Sequence, residues 1–155
     1  MKVFAENKKA YANYQILEKF EAGIVLIGQE VKSIRDGRIN LSGSYVVPRG
    51  LSSHGLPEFF LVGASVPPYQ PKNAPADYTP ERSRKLLLQK SEIRYLIGKT
   101  QQKGLTLIPL KVYTKKAKIK IEFGLAKGFK YADKRNLIRK REAERDIERA
   151  LKRSG

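Results

Sequence analysis

Six consecutive residues, Lys118-Ile119-Lys120-Ile121-Glu122-Phe123, alternate polar with apolar. A period of two belongs to an extended strand with one face in a core and the other in water; a helix would scatter these side chains around its circumference. Just upstream, Leu105 to Tyr113 is a second strand-like run, and the basic pair Lys115-Lys116 supplies the turn between them. This hairpin demands a partner layer to cover its apolar face, because two strands alone are marginal in water.

The rest of the chain offers partners. Ile16–Phe20 and Ile24–Ile27 have strand composition, with Gly23 as a bulge or bend. Tyr45–Val47 and Phe59–Val62 are further strands around a turn-rich loop, 48–57. Val31 and Ile34 suit one short helical turn, stopped by Asp36-Gly37. The segment Pro80–Gln89 places proline before good helix formers and reads as a helix. Ser91 is the expected N-cap of a second helix carrying Ile93, Leu96 and Ile97, with Gly104 as its stop. Pro67-Pro68-Tyr69-Gln70-Pro71 should be extended and exposed. Five or six strands with a few short helices predict a mainly β, OB-like closed barrel over residues 1–128; a split α+β sheet is the alternative.

Charge narrows the function. Thirty-two Lys and Arg stand against fifteen Asp and Glu, a formal net charge of +17. Lysine and arginine release counterions when they neutralise phosphates, so nucleic acid is the first partner to consider. A membrane-bound reading would call for a signal core, a transmembrane run or a lipidation signal, and none is seen. There is no cysteine, so disulfides, thiolate metal sites and cysteine nucleophiles are excluded. The composition suits the cytoplasm.

From Phe129 the chain changes character. Residues 129–155 hold ten basic and five acidic residues, and their large aliphatics are only Leu137, Ile138, Ile147 and Leu151. Such a tail buries too little to offset its ordering entropy, yet its helix propensity is high. It is expected to be disordered alone and helical against a phosphate surface.

No catalytic centre, metal site or cofactor motif is legible. The single histidine, His54, sits in a Gly/Ser loop without an acidic neighbour in sequence. Phosphate loops of the P-loop or dinucleotide type are missing. Glu30 follows an apolar strand amid cations. It reads either as a surface salt bridge to Lys32 or Arg35, or as an acceptor for nucleobase or ribose donors. Basic clusters recur at Lys8-Lys9; at Lys32, Arg35 and Arg38; at Arg82, Arg84, Lys85 and Lys90; and at Lys115, Lys116, Lys118 and Lys120. Tyr11, Tyr14 and Tyr69 read either as core or rim residues or as stacking faces among them, the first being the commoner role for a single tyrosine.

Six blocks together resemble the SsrA-binding protein family, also called small protein B (SmpB). They are Asn7-Lys8-Lys9-Ala10, Glu21–Leu26, Gly28–Gly37, Arg82–Leu88, Gly104–Leu110, and Ala126-Lys127-Gly128 leading to Asp133-Lys134-Arg135. The resemblance implies an oligonucleotide-binding barrel that holds the tRNA-like part of transfer-messenger RNA near its D-loop and elbow. It implies rescue of stalled ribosomes by trans-translation, with the tail entering the vacant mRNA channel of the small subunit, against its rRNA, and becoming helical there. Elongation factor Tu and alanyl-tRNA synthetase would be indirect partners.

Carried over by motif, Glu30, Lys32, Ser33, Arg35, Lys127 and Gly128 should lie on the RNA face, with Asn7, Lys8 and Lys9 as weaker members. Arg84 and Lys85 should border it on a helix. The tail would offer Lys130, Tyr131, Asp133, Lys134, Arg135, Arg139, Lys140, Arg141, Arg145 and Arg149 to the ribosome. With the resemblance, the acceptor reading of Glu30 is favoured. Ala12, Tyr78, Gln89, Phe129 and Ala132 depart from the family's usual residues. A general ribosomal or single-stranded-RNA-binding protein is the alternative function, and an RNA-processing enzyme using Glu30 as a base a more distant one.

Overall fold

The computed structural model describes the backbone of all residues except Ser53, Lys130 and Gly155, and the side chains of those residues except 131–137 and 154. In chain order the elements are β1 (Lys2–Glu6), α1 (Lys8–Asn13), β2 (Tyr14–Ile24), α2 (Gly28–Arg35), β3 (Tyr45–Arg49), β4 (Glu58–Val62), a single 3₁₀ turn at Pro71–Asn73, β5 (Arg84–Leu87), α3 (Lys90–Thr100), β6 (Leu105–Lys115), β7 (Lys118–Gly128) and α4 (Tyr131–Ser154).

The alternating hairpin is the spine. β6 and β7 pair antiparallel from Leu105↔Lys127 to Lys115↔Lys118, and Lys116 and Ala117 turn the corner at positive φ. β7 pairs on its other edge with β2 over nearly its full length. β5, β4 and β3 continue from β2, and β3 returns to β6 through Val46↔Leu107. Six strands therefore close a ring of hydrogen-bonded neighbours, and β1 adds to the outer half of β6. Ring closure leaves few strand edges open to association. The mainly β closed architecture expected from the alternation is what forms.

Inside the ring, Ile34, Leu61, Leu96, Leu107, Ile121 and Phe123 are almost fully buried. Leu96 projects from α3 and Ile34 from α2, so both helices cover openings of the ring with apolar residues. Tyr95 fastens α3 to β2 by donating to both carboxylate oxygens of Glu18, at 2.5 and 2.8 Å.

Several sequence expectations need correction. The stretch Ile16–Ile27 is not two strands. β2 runs through Gly23, and the bulge lies between Ile16 and Glu18. The helix expected over 80–89 is instead loop followed by β5. Leu61↔Arg84 and Gly23↔Leu87 give its backbone ladder partners on both sides, and this tertiary pairing overrides local helix propensity. α3 starts one residue before Ser91, with Gln89 rather than Ser91 as its N-cap, where Glu92 accepts from the Gln89 N–H at 3.1 Å. β1 and α1 were not anticipated, because Lys2–Glu6 is too short to show a period.

Gly124 sits where β2, β6 and β7 crowd together. A Cβ there would come within 2.8 Å of Ile16 Cγ2, and within 3.3 Å of both the Glu18 carbonyl oxygen and Leu110 Cδ1. The carbonyl is backbone and cannot swing aside. Gly124→Ala is expected to cost about 1–3 kcal/mol, read as a lower urea midpoint with an unchanged slope.

Candidate nucleic-acid interface

Glu30, expected on the RNA face, has no exposed surface. Its position in the first turn of α2 lets Oε1 accept from the Ile27 N–H at 2.9 Å, capping the helix. The same carboxylate meets two guanidinium groups. Arg82 Nη2 donates to Oε1 at 2.5 Å and Arg84 Nε to Oε2 at 2.6 Å. Arg84 is itself fully buried and spreads its other N–H groups over the carbonyls of Ala64, Arg82 and Pro80. Burial alone would push the Glu30 carboxyl up. The Arg82 hydrogen bond, the Ile27 N–H and the Arg84 charge together outweigh it and hold the group below the ordinary carboxylate range.

This arrangement corrects the reading of four residues. Glu30 pairs with Arg82 and Arg84, not with Lys32 or Arg35. Ser33 is buried and donates to the Pro67 carbonyl at 2.6 Å. Asn7 is buried and donates to the Pro109 carbonyl at 2.9 Å. Arg84 lies on a strand, inside the molecule. Their polar groups are engaged within the protein, so they shape the surface rather than present themselves on it. Tyr78 does the same work in the loop before β5, donating to the Val66 carbonyl at 2.7 Å.

The exposed surface lies beside this buried knot. A cleft of about 550 Å³ opens over β2, β5 and the start of α3. A second hollow of about 400 Å³ runs from it towards Val31 and Arg35 on α2. Both are lined by Gly23, Leu87 and Lys120, so the two hollows adjoin along those residues and make a groove in two parts. Leu87 is 55% exposed in its floor, an unusual place for a leucine on a strand. Lys85 and Lys120 line the cleft, and Arg35 anchors the far end by donating to the Ala117 carbonyl at 3.1 Å. Glu21, also lining the cleft, accepts from the Tyr113 hydroxyl and from Lys115 Nζ. The Tyr113 bond, with Lys115 and Lys120, holds the Glu21 carboxyl below its ordinary range against the opposing effect of burial. Burial and Glu21 push the Tyr113 phenol up.

Sequence places Lys120 in a basic cluster but gives no reason to join Glu21 and Leu87 to it. The alternation that marks Lys120 as outward-facing was there, but nothing local shows that Glu21↔Glu122 and Gly23↔Lys120 bring those strands side by side.

The remaining expected residues gather elsewhere. Lys127 and Gly128 are exposed at the far end of β7, opposite Gln15 and Tyr14. Lys8 and Lys9 are exposed on α1, and Lys9 and Asn7 line a small hollow with Tyr14 and Tyr45. Seven residues of strand separate Lys120 from Lys127, about 23 Å. The residues expected on the RNA face therefore fall into two groups, one around α2, β5 and the β6–β7 turn, the other around α1 and the end of β7.

On α4, Arg139, Lys140, Arg141, Arg145 and Arg149 are all exposed, as is every described side chain of that helix. Lys130 lies outside the described residues, as do the side chains of Tyr131, Asp133, Lys134 and Arg135. His54 is an exposed turn residue, and no metal-binding group of acidic, His or Cys side chains occurs among the described residues.

Comparison with known proteins places this geometry. The model of the family described as SmpB protein matches residues 4–153. An SsrA-binding protein of Carboxydothermus hydrogenoformans is 51% identical over 97% of this chain and 97% of its own length. One from Syntrophobacter fumaroxidans is 50% identical over 98% of this chain and 90% of its own length. A chain in the solved structure described as "tmRNA-SmpB: a journey to the center of the bacterial ribosome" superposes with a TM-score of 0.65 at 40% identity, over 90% of this chain and 96% of that one. Six motifs in order, a closed basic β-ring and a match that runs nearly from end to end lead to one assignment: the chain belongs to the SmpB family.

Proposed function

We propose that this chain binds the tRNA-like part of transfer-messenger RNA and acts with it on stalled ribosomes in trans-translation. The observation that carries this reading is the groove between β2, β5 and α2, whose end at α2 is basic. It is open and preformed: Glu21, Glu58 and Glu92 balance Lys85, Lys90 and Lys120 in the cleft, Lys85 being paired with Glu58 at 3.1 Å, and towards α2 the charged residues lining it are the cations Arg35, Lys118 and Lys120. Phosphates meet Arg35, Lys118 and Lys120 in the groove and Lys32 on the far side of α2, and Leu87 offers an apolar contact to a base or ribose. The buried Glu30–Arg84 pair and Ser33 hold the groove's walls in place.

The second basic face, with Lys8, Lys9, Lys127 and Gly128, takes a different RNA surface, for which small-subunit rRNA is the natural candidate. Residues 129–155 are the part that tests whether the mRNA channel is vacant, disordered alone and helical against rRNA. The chain itself performs no catalysis; elongation factor Tu and alanyl-tRNA synthetase are reached through the RNA. It works in the cytoplasm. No helix among the described residues is long and apolar enough to cross a membrane.

Competition binding tests the reading. Transfer-messenger RNA should displace a labelled copy of itself far better than unrelated transcripts of equal length at one fixed ionic strength, since purely electrostatic binding is indifferent to sequence. Equal competition by both would instead make this a general RNA-binding protein. Lys32 is exposed and in no ion pair among the described residues. Lys32→Glu should weaken binding by about tenfold and flatten the salt dependence by about one unit of slope, with the melting temperature unchanged.

A further inference from the structure

An aromatic residue outside the groove stands on a stretch of backbone that α2 clamps at three points. Tyr69 is 37% exposed, in a proline-flanked segment. Its backbone is clamped by α2. Gln29 Oε1 accepts from the N–H groups of Tyr69 and Gln70, at 3.1 and 3.4 Å. Ser33, one turn later on α2, secures Pro67 from the other side.

Between those two clamps stands Lys32, with Nζ 6.0 Å from the Tyr69 ring centroid. That is the outer limit of a cation–π contact, so the lysine stands over the ring without pressing on it, and over a third of the residue's surface stays exposed. Nearby carboxylates are committed elsewhere: Glu30 to Arg82 and Arg84, Asp36 to Arg38 at 3.3 Å. A partly exposed ring on a clamped backbone thus stands beside a cation that pairs with no carboxylate among the described residues. A flat apolar face at a set distance from a positive charge fits a base and its phosphate.

The position continues the groove. Val31 and Arg35 line it from one side of α2, while Gln29 and Lys32 meet Tyr69 on the other. A helix is about 10–12 Å across, a width that a few nucleotides of single strand can cross.

We propose that Tyr69 and Lys32 form a stacking subsite for one unpaired nucleobase, reached where an RNA strand leaves the groove and crosses α2. The ring takes the face of the base and Lys32 its phosphate. This rests on the RNA-binding reading above and adds a contact that the groove cannot make.

The test uses the full chain and full-length transfer-messenger RNA. Tyr69→Phe and Tyr69→His keep a flat ring; Tyr69→Leu and Tyr69→Ser do not. The ring-keeping variants should bind within about twofold of the unaltered chain and the others about tenfold more weakly, all with the same melting temperature. A nuclease footprint of the Leu variant should lose protection at a few unpaired nucleotides and keep the rest. Equal affinity of all four variants overturns the proposal, as does equal weakening, which would assign the effect to loop packing. Failure of the parent reading looks different: there the unaltered chain itself shows no preference for transfer-messenger RNA.

Discussion

Glu30→Gln is expected to destabilise the fold by about 3–5 kcal/mol, because it leaves Arg84 charged, buried and without its carboxylate. The amide would also turn N–H groups towards a guanidinium that can only donate. For a domain of this size the melting temperature should fall by about 10 °C. RNA binding of the folded fraction should weaken less than the stability does, since Glu30 has no surface to offer a ligand. A mutant that melted normally but failed to bind would return Glu30 to the RNA face. Acid supplies a second check. The native carboxyl is depressed below its ordinary value of about 4.5, so its contribution is complete above that pH and is lost as pH falls through the native value. The stability gap between the unaltered chain and Glu30→Gln should narrow on acidification. A double replacement of Glu30 and Arg84 by Leu and Met should recover part of the loss, because two apolar groups leave no buried charge unpaired.

Removing residues 129–155 should abolish peptide tagging on stalled ribosomes while leaving transfer-messenger RNA affinity within about threefold at physiological salt. The described side chains of α4 are exposed from 138 to 153, so the ring loses none of its core when they go, and the melting temperature should hold. The tail carries a formal +5 of the chain's +17, and the groove lies wholly within residues 1–128. As a helix, 27 residues reach about 40 Å, enough to extend well beyond the body that carries them. Loss of binding and tagging in equal measure would mean that the tail also grips the RNA, and the division between body and tail would have to be redrawn.

Strand periodicity at 118–123 announced the hairpin, because a period of two is visible within one segment. The α2 turn with its Asp36-Gly37 stop was legible for the same local reason; Gly37 does adopt positive φ, at 77°. β5 was misread because its residues favour a helix in isolation and become a strand only between β4 and β2. Glu30 was misread because a carboxylate among cations looks the same in sequence whether it faces water or a guanidinium.

By itself, then, the chain's order of residues determined what depends on near neighbours: the alternating strands, the helical turn and the split between a basic body and a basic tail. Only the tertiary structure decided which charges face outward. Glu30 and Arg84 lie 54 positions apart, and ring closure brings them to 2.6 Å with neither side chain exposed. There each requires the other, and the cations left outside are the ones available to a phosphate.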